Sequence, residues 1–238
     1  MPGNATHLAI ADKIYKFLGE SVIKDMPLFF CGNVAPDAIH AKPNYTREDK
    51  RHTHLTKDMP TDAFHNPDKL RLFHERVNEF IDSFYVAADM QSDLYLGYVT
   101  HLLSDELFNI TKRTPFNRLI FTDGIDQSEK DLFEKILEDV DAGDMLILSQ
   151  YPYTQNVAEV LDAVWDYEIK GYVGKDEVNN SKRYVINKFL NGASAQIDLK
   201  YYSYAEAVEF VDYAVEDCLK RLSGESDIIP ILRGITVK

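Results

Sequence analysis

The reading of this chain turns on Tyr98-Val99-Thr100-His101-Leu102-Leu103-Ser104-Asp105-Glu106-Leu107-Phe108. Apolar residues recur at three- and four-residue steps through Leu94, Tyr98, Leu102 and Leu103 to Leu107 and Phe108. That spacing predicts a helix over 91–110, stopped by Pro115. So many apolar positions place the helix in a core. His101 and Asp105 nevertheless sit in it, four residues apart and therefore on one face. A polar pair buried there must be bonded, because burying an unpaired charge is costly. Two outcomes are open: a plain His–Asp hydrogen bond, or a shared metal ion.

The same periodicity extends outward. Leu8 to Leu18 reads as a helix ended by Gly19, with Asn4 and Thr6 as candidate caps. Residues 67–86 form a second, capped at Asn66 with Pro67 in the first turn. Others are expected from Ser128 to about Asp141 and over 154–169, 176–191 and 203–222, while Ile228–Leu232 is an apolar tail that packs down in extended form. Leu28 to Asp37 begins as a short apolar run and meets Pro36, which disfavours helix at Ala35. From Ala41 to Asn66 the chain is polar, interrupted by Pro43 and Pro60, and reads as a long ordered loop of the kind that carries function. No segment alternates strictly enough for a strand, and there is no repeat or linker. The expected architecture is all-α, a single helical domain over 1–238 with its chemistry in residues 1–110.

Composition supports that division. The 238 residues carry 26 Lys+Arg against 39 Asp+Glu, a formal net charge of −13. Such an excess argues against sequence-blind binding to duplex nucleic acid or anionic lipid. No run is apolar enough to predict a transmembrane helix. The amino-terminal stretch lacks the basic start and apolar core of a signal peptide, and Cys31 and Cys218 do not make a disulfide framework. The expectation is a cytoplasmic protein with two reduced thiols. All 7 histidines lie within the first 101 residues, so the imidazole chemistry is confined there.

Several residues in that part are candidates for a site. His7 opens the first helix near its buried side. Asp37 follows Pro36 directly after an apolar segment that drives it inward, where it could cap a helix, pair with a cation or bind metal. In an extended loop His52 and His54 point to opposite sides, so one of the two enters a site. His40 is placed to support Asp37, His74 reads as a bonded structural histidine, and His65 as solvated. Lys42, Arg47, Lys50, Arg51 and Lys57 fall in the same loop and could form either an anion-binding rim or a solvated surface. There is no Gly-rich phosphate loop, Gly-x-Ser-x-Gly elbow or Cys-x-x-Cys pair. The adjacent His-Asp pair of another helical phosphohydrolase class does not occur either.

Taken in order, Thr6-His7-Leu8-Ala9, Gly32-Asn33-Val34-Ala35-Pro36-Asp37, Thr53-His54-Leu55 and His101-Leu102-Leu103-Ser104-Asp105 resemble the zinc-dependent phospholipase C family. That all-helical family also resembles the single-strand-specific zinc nucleases. The resemblance covers about the first 110 residues. It selects His54 over His52, and implies that Asp37, His54, His101 and Asp105 ligate one metal while Asp105 bridges to a second held by His7. It further implies zinc, one ion or two, with manganese or iron compatible with the donor set. Asp37 would also take a proton from the attacking water. The implied substrate is a small phosphate ester or lipid headgroup. With no histidine after His101, a third histidine-bound metal is not expected. The alternative is a family member whose metal is structural or absent.

Overall fold

The protein is described from a computed structural model, which covers residues 2–59, 63–84, 92–113, 129–191 and 201–223. Every regular element among these is helical: α1 (Asn4–Leu18), α2 (Met26–Val34), a 3-10 helix (Pro36–Ala41), α3 (Arg47–Thr53), a 3-10 turn (Ala63–His65), α4 (Pro67–Phe84), α5 (Ser92–Phe108) continued by a π turn (Asn109–Arg113), α6 (Glu129–Gln150), α7 (Val157–Asp162), α8 (Lys175–Asn191) and α9 (Tyr204–Leu222). The only β feature described is an isolated bridge between Ile169 and Val173. None of the described helices is long and apolar enough to cross a membrane. The all-α expectation holds.

α5 runs through the centre, with every residue from Asp93 to Phe108 buried. Its most extensive partner is α2. The two backbones meet at Gly32 and Gly97. A Cβ on Gly32 would overlap the Leu94 carbonyl oxygen, and one on Gly97 would overlap that of Phe29. Only glycine permits this approach, because the obstruction on each side is backbone and cannot swing away. The apolar stretch at Leu28 is thus helix. Asp25 caps it, its Oδ1 accepting from Leu28 N at 2.9 Å, and the lack of an apolar stripe reflects burial on all sides.

The loop expected over 41–66 is largely structured. Thr46 and Asp49 form a reciprocal capping box that starts α3. The helix ends at His54, after which Leu55 adopts a left-handed φ of 57°. The helix expected over 154–169 is correspondingly shorter. Asp12 of α1 accepts from Thr154 N and Gln155 N, holding them outside the helix, and Asp166 turns the chain with φ 61° beyond its end.

α1 lacks the expected local caps. Its N-cap is Gly3, which makes no side-chain bond. The cap comes instead from Asp144 on α6, whose carboxylate accepts from Ala5 N at 3.2 Å and from Thr6 N and Thr6 Oγ1 at 2.8 and 3.1 Å. A carboxylate at this position satisfies orphan N–H groups and the positive end of the helix together. Asn66 does cap α4, accepting from Asp68 N and Lys69 N. Cys31 and Cys218 are buried free thiols. Pro115, Ser128 and the tail Ile228–Leu232 lie outside the described residues.

Replacing Gly97 by Ala should lower stability by about 1–3 kcal/mol or prevent folding, since overpacking against rigid backbone cannot relax. A urea-melt midpoint unchanged in G97A would contradict this contact.

Candidate metal centre

Five side chains from four elements converge beside the α2–α5 crossing. α5 supplies His101 and Asp105, α1 supplies His7, the 3-10 helix supplies Asp37, and the end of α3 supplies His54. These are the five residues marked out in the sequence. His7 Nε2 lies 3.4 Å from Asp105 Oδ1, and His54 Nε2 lies 3.4 Å from Asp105 Oδ2 and 3.3 Å from Asp37 Oδ1. His101 Nε2 is 3.3 Å from His54 Nε2 and 3.8 Å from Asp105 Oδ2. The rings of His7 and His101 stack with centroids 3.7 Å apart.

The hydrogen bonds on the far side of each ring fix where its proton sits. His101 Nδ1 is 2.8 Å from the Asn33 carbonyl, which can only accept. His54 Nδ1 is 3.0 Å from the Lys50 carbonyl, and the same argument applies. Ser104 Oγ donates to the His101 carbonyl at 2.9 Å, so it accepts from His7 Nδ1 at 3.0 Å. All three imidazoles therefore carry hydrogen on Nδ1 and turn Nε2 inward, where the three Nε2 atoms face each other and two carboxylates. Asp105 is almost completely buried, and neither of its oxygens has a hydrogen-bond partner; nor does His7 Nε2. With neutral rings Asp105 has no donor, and either a metal ion or a proton on Nε2 would complete the set.

The spacing suits one kind of cation. Tetrahedral ligands at the usual zinc–nitrogen and zinc–oxygen lengths stand about 3.3–3.4 Å from one another. Four of the five contacts above have that value. Anchoring of ligating histidines through Nδ1 to carbonyl or hydroxyl oxygens is also the usual support for a metal. Two triads have one donor atom each within 4.8 Å of one another: His7, His101 and Asp105, and Asp37, His54 and His101. His101 is common to both, whereas the resemblance places the shared role on Asp105. The 3.4 Å contact of Asp105 with His54 keeps it within reach of both groups.

Charge is arranged to keep the donors ready. Burial lowers His101 to about 3, helped by the neighbouring His7 ring, so it is neutral at physiological pH. Burial would raise the Asp105 carboxyl, but contact with His7, His101 and His54 carries it well below the usual range. Asp37 behaves likewise, with Lys50 and His54 outweighing its desolvation.

The remaining histidines lie elsewhere. His52 bonds the Gly171 carbonyl at 2.8 Å and stacks on Tyr172, which leaves His54 to enter the site. His74 bonds Glu106 at 2.9 Å, as a structural histidine should. His40 comes within 3.8 Å of Asp37 Oδ1, and His65 is exposed. What the sequence reading missed is Lys50. Read as one of five loop cations, it turns inward and bonds Asp37 Oδ1 at 2.8 Å. The signal was its place four residues before His54, one helical turn away.

Comparisons with protein-family models, with curated proteins and with solved structures find no match to this chain.

The metal-free protein should lose stability as pH falls from 6.5 towards 3. In that interval the unfolded chain binds a proton at His101 that the native state refuses, so stability rises with pH. Asp37 and Asp105, held low in the fold, extend the loss below the ordinary carboxylate range. Melting temperature against pH in chelator measures this, and a flat profile between pH 6.5 and 4 contradicts it.

Proposed function

We propose that the protein is a metal-dependent hydrolase of phosphoric esters, acting on a phosphodiester or phospholipid-like substrate. His7, Asp37, His54, His101 and Asp105 hold zinc, as one ion or two, with manganese or iron as substitutes. One observation carries the reading: three imidazoles, each fixed through Nδ1, aim Nε2 atoms at a buried carboxylate whose oxygens have no other partner. The order and spacing of the motifs, which resemble phospholipase C, supply the substrate class.

When bound, the metal would acidify a coordinated water and polarise phosphate oxygens. The chain's own groups provide the rest. Asn33, Lys50 and Ser104 hold the three rings so that little reorganisation accompanies binding. Asp105, placed between His7 and His54, neutralises charge at the centre. Asp37, the most exposed of the five side chains, would accept the proton of the attacking water. Its carboxyl is held low, so it is ionised at neutral pH and returns that proton to solvent.

Protein purified without chelator should contain zinc in near-stoichiometric amount and hydrolyse bis(p-nitrophenyl) phosphate. Asp105→Asn, which keeps the volume but removes the charge, should lose the metal and reduce hydrolysis by at least about 100-fold. Unchanged metal content and rate in D105N would refute the proposal. Metal retained by the wild type without hydrolysis of any phosphate ester would make the ion structural, a reading favoured by the complete burial of His7 and His101.

A further inference from the structure

Side-chain exposure rises from 0% at His7 and His101 to 11% at Asp37, 20% at Lys50 and 44% at His40, so the side of the cluster formed by the 3-10 helix and α3 lies nearest the surface. Two of the cations on this stretch are already paired with carboxylates at the surface, Lys42 with Asp49 and Arg51 with Glu48. Lys50 instead faces inward. Its ammonium is bonded to Asp37 Oδ1, the same oxygen that lies 3.3 Å from His54 Nε2. An ammonium has three donors, and the bond to Asp37 uses one.

Charge then limits the ligand. With the ligating imidazoles neutral, Asp37, Asp105 and Lys50 together leave one negative charge. A single divalent ion reverses it to one positive, which matches the one negative charge of a phosphodiester. A lysine ammonium is a compact point charge, and partial burial strengthens its attraction for an oxyanion.

We infer that Lys50 is the substrate-binding cation of this centre, receiving a non-bridging oxygen of a monoanionic phosphodiester while Asp37 holds its ammonium in place. This rests on the metal-dependent reading above. Lys50 thereby supplies positive charge beside the ligand set without a further metal ion.

The test compares wild type, Lys50→Met and Lys50→Arg after zinc loading. Zinc content is read by elemental analysis, and binding of dimethyl phosphate and of inorganic phosphate by calorimetry. All three proteins should hold the same zinc. Dimethyl phosphate should bind K50M about 10–100-fold more weakly, the loss expected for one charge-assisted hydrogen bond, with K50R intermediate. Equal zinc with unchanged affinity in K50M overturns the inference and leaves the metal centre standing. Zinc lost from K50M also overturns it, because Lys50 then acts only by supporting Asp37. A larger loss for inorganic phosphate than for dimethyl phosphate overturns the assignment to a diester. A wild type that takes up no zinc overturns the metal reading itself.

Discussion

The contact of Gly32 with Gly97 is the constraint on which the rest of the structure depends. It brings the backbones of α2 and α5 so close that no Cβ fits between them at the crossing. The next residue along α2, Asn33, thereby places its carbonyl 2.8 Å from His101 Nδ1. One side chain more at the crossing would push the carbonyl away and free the ring. The same approach seats the 3-10 helix after α2, and with it Asp37, against the end of α3. Three of the four elements that carry the cluster therefore take their positions from one backbone contact. The fourth element, α1, is set differently: Asp144 grips its first turn from α6, and His7 follows one residue after Thr6. Distant parts of the chain thus hold the site, although its converging side chains all come from the first 105 residues.

How much of this was legible in the sequence follows from what each feature depends on. The long helices α4, α5, α8 and α9 were readable because an apolar period of 3.6 is a local property repeated over many residues. The convergence of His7, Asp37 and His54 on His101 and Asp105 was readable because the last two are polar residues inside such a helix, where burial demands a partner, and because the motif order supplied the other three. α3 was not recognised. It has seven residues, almost all polar, and depends on the Thr46–Asp49 capping box and on tertiary contact rather than on periodicity. The cap of α1 was misplaced for a related reason. Asn4 and Thr6 are plausible local caps, but the actual acceptor is 138 residues away in sequence from Thr6. The α2–α5 crossing was equally hidden, since a close approach involves two glycines whose pairing no single segment reveals.

Lys50 shows the same limit at the site itself. A lysine among other charged residues reads as solvated, and four of its neighbours in kind did nothing to separate it. Helical geometry separates it. Once residues 47–53 are a helix ending at His54, Lys50 lies one turn back from that histidine and on the same side, and its carbonyl holds the ring while its ammonium reaches Asp37. One residue thus orients a ligand through its backbone and balances another through its side chain. The misreading of a short helix as a loop concealed both roles.

Adjacent residues on α5 give the strongest internal comparison for the metal centre. Glu106, next to Asp105 and just as buried, is completely provided for: His74 bonds one carboxylate oxygen at 2.9 Å and Arg221 the other at 2.7 Å, and Arg221 is bonded in turn to Asp217. Asp12 and Asp144, also buried, accept backbone and hydroxyl hydrogens. The fold therefore supplies donors to its interior carboxylates wherever their charge is only structural. Asp105 receives none from outside the cluster, and what faces it are the Nε2 atoms of imidazoles anchored through Nδ1 on the opposite side of each ring. Within one helix, and at one residue's remove, the chain satisfies one acid from its own donors and leaves the other to the imidazole cluster. At Asp105 and His7 such unpartnered atoms meet a second carboxylate, two further imidazoles anchored through Nδ1 and a zinc-like spacing, and that conjunction is the physical case for proposing a cation at this point.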